Sequence, residues 1–279
     1  MKKAIQIGYG DLFELKCRYA AEAGFRFVAV NLANIFDKTE DEWKAITENI
    51  QTILDQNGLS CVQTHLHYYD LLQSSEMPDE RSSYALRQSL IASGRLGASC
   101  GVYHPRSSIS SGFRSDRAYE DNRVILSNLI DDAVNYGLSV AVENIPLFPD
   151  HPEWPFYTSD YRDLAVLVDS FNDSHISVCW DFGHANLMKF DQRDALKYLG
   201  SRVTCVHIHN NCGFHDDHAA PDTGTADWRG IMPVLTEGGY NGALTLESEC
   251  GYTAPRLLQS FAKHNYVCLE FLEELMNSK

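Results

Sequence analysis

Six acid or imidazole side chains close six apolar runs of this chain: His65 in CVQTHLHYY, His104 in GASCGVYHP, Glu143 in LSVAVENIP, Asp181 in ISVCWDFGH, His207 in VTCVHIHNN and Glu247 in GALTLESE. Successive members stand 39, 39, 38, 26 and 40 residues apart. Carboxylates and neutral imidazoles are the oxygen and nitrogen donors that divalent cations take. A carboxylate at the end of an apolar run is costly to desolvate unless it is paired or bound to a cation. Few Lys or Arg residues lie at the same run ends to pair with these. Glu143 and Glu247 therefore read as metal ligands or catalytic residues rather than as partners in a barrel-mouth salt bridge. Asp181 reads as a ligand, with capping of a following helix as its structural alternative.

The spacing implies the scaffold. A strand, a helix and two loops take about 40 residues, and parallel strands need such long crossovers. The runs KAIQIGY, FRFVAVNL, LSCVQTHLHYY, ASCGVYHP, LSVAVENIP, HISVCWDFGHANL, VTCVHIHNN and GALTLESE read as eight strands. Helical spacing fills each interval, as in TEDEWKAITENIQTILDQNG, with Thr39 as a cap candidate and Gly58 as its stop. Alternating strands and helices imply a parallel sheet. The count of eight, and the absence of a third glycine in IQIGYGDLF, favour a closed (β/α)8 TIM barrel over an open nucleotide-binding sheet. No linker or low-complexity stretch divides the chain, so residues 1–279 are expected to form a single domain. In such a barrel the strand C-termini converge on one mouth, and six scattered residues become one site.

Composition narrows the partners. The apolar fraction of 44% is that of an ordinary globular protein. The formal charge of −15 argues against nucleic acid and anionic membranes, and the cations are dispersed without a basic block. No apolar stretch is long enough to span a bilayer, and the start resembles no signal peptide. Eight cysteines without a CxxC pair, mostly inside apolar runs, suit buried free thiols and a cytoplasmic location.

Further candidates crowd the same strand ends. Eight of eleven histidines fall there, namely His65, His67, His104, His184, His207, His209, His215 and His218. A lone histidine is more often a satisfied core residue, but eight at one end of a barrel are another matter. Strand alternation puts His207 and His209 on one face, unless the second lies past the strand end. The segment HDDH, with Asp216 and His218, is either a donor set or a solvated loop. Trp180 and Trp228 either line the mouth and stack on a sugar ring or pack in the core. Arg106, after HP, is an anion-binding candidate or a solvated arginine. The Pro- and aromatic-rich loop LFPDHPEWPFY would suit a sugar lid or a wedge.

VENIP, DFGHANL, HIHNN followed by Asp216-x-His218, G-x-x-DW and LTLESE together resemble the xylose isomerase-like barrel superfamily. The resemblance covers essentially the whole chain. That superfamily contains sugar and sugar-phosphate isomerases, the tagatose and psicose 3-epimerases, inositol-catabolism enzymes and endonuclease IV. The resemblance implies a metal held by Glu143, Asp181, His207 and Glu247, with the two glutamates as the acid/base pair and His184 on the substrate. It implies, for the endonuclease branch, three zinc ions held by these positions with His65, His104, Asp216 and His218. The loop after the seventh strand reads DDHAAPDTGT rather than DxHxxPGxG, which puts Asp222 where glycine is common.

Two chemistries follow. In the first, a divalent ion polarises the carbonyl of an open-chain sugar, one glutamate removes the neighbouring proton, and the second returns one to the resulting enediolate. In the second, a metal cluster activates hydroxide for phosphodiester cleavage, as in endonuclease IV; a polyol dehydratase or hydrolase is a further alternative. The charge balance favours the first, with a small carbohydrate as substrate. Manganese or zinc is the expected ion, with magnesium or cobalt admitted by the same donors. Barrels of this size often pair through their faces, so a homodimer is the expected assembly.

Overall fold

The computed structural model describes residues 1–32, 38–68, 80–107, 115–146 and 156–277. Eight strands, β1 (Lys3–Gly8), β2 (Phe27–Asn31), β3 (Ser60–His65), β4 (Cys100–Tyr103), β5 (Ser139–Glu143), β6 (Ile176–Asp181), β7 (Val203–His207) and β8 (Leu244–Leu246), alternate with helices. The helices are α1 (Phe13–Ala23), α2 (Glu40–Gln56), α3 (Glu80–Arg95), α4 (Ser115–Ser127), α5 (Ile130–Tyr136), α6 (Tyr161–Asp169), α7 (Phe182–Leu187), α8 (Gln192–Leu199), α9 (Trp228–Glu237) and α10 (Pro255–Asn277). All strand pairs are parallel, and β1 pairs with both β2 and β8. A single bridge, Ile208 to Leu246, joins the two ends of the sheet and completes a (β/α)8 barrel. Its bonds are Ile208 N–H to the Thr245 carbonyl at 2.8 Å and Glu247 N–H to the Ile208 carbonyl at 2.9 Å.

The period of two along a strand sorts residues between lumen and helix layer. Cys100, Val102, Ala141, Cys179 and Cys205 form a small buried cluster of their own. Two residues further on along their strands stand His104, Glu143, Asp181 and His207, so the lumen carries an apolar floor beneath a polar mouth. The intervening positions, such as Val140, Val178 and Val206, join the large core shared with the helices. Each apolar side chain fully buried there stabilises the fold by about 1.5–3 kcal/mol.

Two elements depart from the sequence reading. DFGHANL is not the tail of a strand: β6 stops at Asp181, whose carboxylate accepts from His184 N–H at 2.7 Å and starts α7. The interval RAYEDNRVILSNLIDDAVNYG, whose helical spacing reads as one continuous helix, holds two, α4 and α5. Between them Asn128 and Leu129 turn back to Ile125 and Leu126 in tighter three-residue bonds. Most of the loop LFPDHPEWPFY, 147–155, lies outside the described residues. No described helix is long and apolar enough to cross a membrane. Each cysteine is free, and six of the eight are buried.

Candidate metal centre

The barrel register brings His65, Glu143, His207 and Glu247 together, each offering one donor atom within 4.8 Å of the others. His207 Nδ1 lies 2.9 Å from both Glu143 Oε1 and Glu247 Oε2, and 3.8 Å from Asp181 Oδ2. The other oxygen of Glu143 faces His104 Nε2 at 2.8 Å and His65 Nε2 at 3.7 Å. Glu143 thus serves two groups of donors with its two oxygens. Yet Glu143 Oε2 and His104 Nε2, close as they are, make no aligned hydrogen bond. Two donor atoms that approach without a shared hydrogen suit a cation held by both, to one side of their line of contact.

A second set adjoins the first. His184 Nε2 lies 3.3 Å and His218 Nε2 3.2 Å from Asp216 Oδ2. His209 Nε2 lies 3.0 Å from Asp181, and its ring stacks on His218 at 4.1 Å. His209 is past the end of β7 but fully buried, so it joins the strand-end set to the loop set. Gly183 makes room for it, because a Cβ there would stand 1.9 Å from the His209 ring.

Backbone carbonyls select the ring nitrogens. His184 Nδ1–H donates to the Asn144 carbonyl at 2.8 Å, and His218 Nδ1–H to the Glu247 carbonyl at 2.9 Å. Each leaves Nε2 facing Asp216, where it carries a proton in the ion-free protein and could take a cation in its place.

The electrostatics are severe. Glu143, Asp181 and Glu247 are buried, and no Lys or Arg pairs with them among the described residues. Burial alone would raise the Glu143 carboxyl, but His207 and His104 outweigh it and hold it well below the usual carboxylate range. Burial is likewise overcome at Glu247 by His207 and His65, and at Asp216 by His184 and His218. Burial would lower His207, but Glu247 and Glu143 push it well above its ordinary value. His218, despite burial, is raised to about 10 by Asp216 and Glu247. His65 is lowered, because burial dominates there. Protons thus stand where cations would serve. The donor chemistry, and the orphaned His65 Nδ1, His104 Nε2, Glu143 Oε2 and His209 Nδ1, fit divalent cation binding.

Of the expected site residues, His65, His104, Glu143, Asp181, His184, His207, His209, Asp216, His218 and Glu247 all converge here. Asp181 performs its alternative role as well, capping α7. The two tryptophans require correction. Trp180 points out of the lumen, with Nε1 donating to Gln192 Oε1 on α8 at 3.3 Å. Trp228 donates to the Pro221 carbonyl at 2.7 Å and packs edge-on against Phe182. Both are buried in the wall, since strand alternation aims Trp180 at the helices and the start of α9 pulls Trp228 inward. Arg106 is not solvated: it is buried, its backbone clasped by Asn122, and its Nε and Nη2 have no hydrogen-bond partner among the described residues.

Several residues carry no metal-ligand signature and were not anticipated. Gln63 contacts His207 Nε2 and accepts from Thr245 Oγ1 at 2.9 Å. Gln6 Nε2 donates to Glu247 Oε1 at 2.7 Å. Asn144 pairs with the Asp181 backbone in both directions, and Tyr68 stacks on His104 at 4.4 Å. Their one signal is position, since Gln63 precedes His65 by two on the same strand face.

Fold and site together define a (β/α)8 barrel whose mouth presents a dense set of nitrogen and oxygen donors. The chain belongs to the xylose isomerase-like TIM barrel family, which it matches over residues 17–264. It is similar to the uncharacterized protein MJ1311 of Methanocaldococcus jannaschii, 22% identical over 89% of this chain and 86% of that one. A D-tagatose 3-epimerase-like protein is 20% identical, with 99% of this chain and 98% of that chain covered at a TM-score of 0.76. An AP endonuclease, family 2, from Brucella melitensis is also 20% identical, with 94% and 98% covered at a TM-score of 0.72. At such identities the solved structures establish a shared fold.

Proposed function

We propose that this protein is a divalent-metal-dependent isomerase or epimerase of a sugar or sugar phosphate. The observation that carries the reading is the convergence of two buried glutamates, from β5 and from just past β8, on one nitrogen of His207, Nδ1, at 2.9 Å each. Glu143, Asp181, His207 and Glu247 would hold the ion. When bound, a divalent ion there supplies Lewis acidity and makes a C–H beside a carbonyl more acidic. The residues do the proton work. Both glutamates are held as anions, so each is a competent base at neutral pH. A base that takes a proton from one carbon and returns it to the next isomerises a sugar; return from the opposite glutamate to the other face epimerises it. His184, beside Glu143, would orient a hydroxyl of the substrate. Among the described residues, Nε and Nη2 of the buried Arg106 have no partner, which supports a phosphorylated substrate, because a buried cation without an anion is costly.

The test is proton exchange. The metal-loaded protein is incubated in deuterated water with ketoses and aldoses, free and phosphorylated, and carbon-bound deuterium is followed by NMR. Incorporation with product formation, abolished in Glu143→Gln and Glu247→Gln, is expected. Turnover retained in either variant would overturn the two-glutamate assignment.

A second reading has its own observation. The set His184, His209, Asp216 and His218 adds donors that a one-ion isomerase does not use. Two or more zinc ions per chain, with cleavage of abasic-site DNA or a small phosphodiester and no sugar exchange, would favour hydrolysis instead.

A further inference from the structure

Three donors meet at a second place, on the helix layer. Asp222 lies between β7 and α9, while His264 and Cys268 stand four residues apart on one face of α10. His264 Nε2 is 3.1 Å from Asp222 Oδ1. Cys268 Sγ is 3.7 Å from that oxygen and 3.6 Å from that nitrogen. None of the three belongs to the mouth sets.

The arrangement discriminates between two chemistries. A Cys–His–Asp proton relay uses both imidazole nitrogens, one for each partner. Here the single nitrogen Nε2 faces both, so the three atoms converge on one point. A tetrahedral zinc has Zn–N and Zn–O bonds of about 2.0 Å and a Zn–S bond of about 2.3 Å. Those bonds place its ligands about 3.3 Å apart for N···O and about 3.5 Å apart for either contact with sulfur. Each of the three separations lies near these edges.

We propose that Asp222, His264 and Cys268 form a binding site for a thiolate-accepting divalent ion of the zinc class, clamping the loop before α9 onto α10. Cys268 forms the buried vertex, and the exposed Asp222 and His264 leave an approach from solvent. A thiolate selects zinc-like ions over magnesium or calcium. Burial and the Asp222 charge push the Cys268 thiol up to about 11, so the ion displaces a proton: thiol and cation give the metal thiolate and H+. The same loop carries Asp216 and His218, so the clamp would hold mouth donors from a distance. The site is independent of the reaction at the mouth.

Cobalt(II) titration of the chelator-treated full chain tests it. The mouth sets contain no sulfur, so a near-ultraviolet thiolate-to-cobalt band reports this site even while cobalt fills the mouth. The band is expected to saturate in the native chain and to vanish in Cys268→Ser. It should require at least about tenfold more cobalt in His264→Ala and in Asp222→Asn. Both of those residues are exposed, so their variants decide the matter should Cys268→Ser fail to fold. No band in the native chain, a band surviving Cys268→Ser, or one unshifted in both other variants overturns the proposal.

Discussion

The mouth is built in two ways, and the two halves differ in what holds them. His65, Glu143, Asp181 and His207 end strands, and His104 and Glu247 follow a strand by one residue. Their positions are set by ladder register over a packed floor. His184, Asp216 and His218 ride on a short helix and an irregular loop; His184 and His218 each donate to one backbone carbonyl, of Asn144 and of Glu247, and Asp216 is held between the two histidines. His209 alone belongs to both. Strand ends give rigid placement at regular sequence intervals; loops give placement that depends on local bonds and on neighbouring ligands.

Substitutions can break that contrast. The largest effect is expected at Glu143, whose oxygens serve two donor groups. Glu143→Gln should lower turnover by about a thousandfold and reduce bound metal while circular dichroism is unchanged. Next, Gly183→Ala drives a methyl into His209 and should destabilise the protein by about 1–3 kcal/mol in denaturant melts, with loss of outer-set metal. An unchanged midpoint would show that the His209 ring is free to move. Asp216→Asn should remove metal from the outer set while leaving the strand-borne content intact, as measured by elemental analysis after dialysis. Gln63→Leu should weaken inner-set affinity about 10–100-fold in chelator competition, because Gln63 holds the His207 ring in place from its Nε2 side.

The smallest effect is a pH dependence of the loop-borne half. The folded pKa of His218 is raised to about 10, so its contribution is complete below the unfolded value of about 6.5. That contribution declines as pH rises toward 10. The ion-free protein should therefore lose stability across this window in thermal melts. The metal-loaded protein should not, since the ion replaces the proton and binds more tightly as pH rises.

The strand-borne half was legible in sequence because register converts a regular interval into a shared location. The barrel itself was legible for the same reason. His209 was placed on the correct face by alternation, although it stands outside the strand. The tryptophans were not legible: Trp180 neighbours a ligand in sequence, but adjacent strand residues face opposite ways. Gln6, Gln63 and Asn144 were missed because amides have no ligand signature and matter only through what they touch. The start of α7 was half legible: Asp181 closes the apolar run and offers a cap, but the strand reading HISVCWDFGHANL ran on past it.

The single bridge between Ile208 and Leu246 makes the β7–β8 junction the barrel's weakest seam. Its flanking residues, His207 and Glu247, are candidate ligands of one ion, so a bound cation would stitch that seam across the hydrogen bonds it lacks. Loss of the ion would then be felt first as faster amide exchange at Ile208 and Glu247, a local unzipping well short of global unfolding.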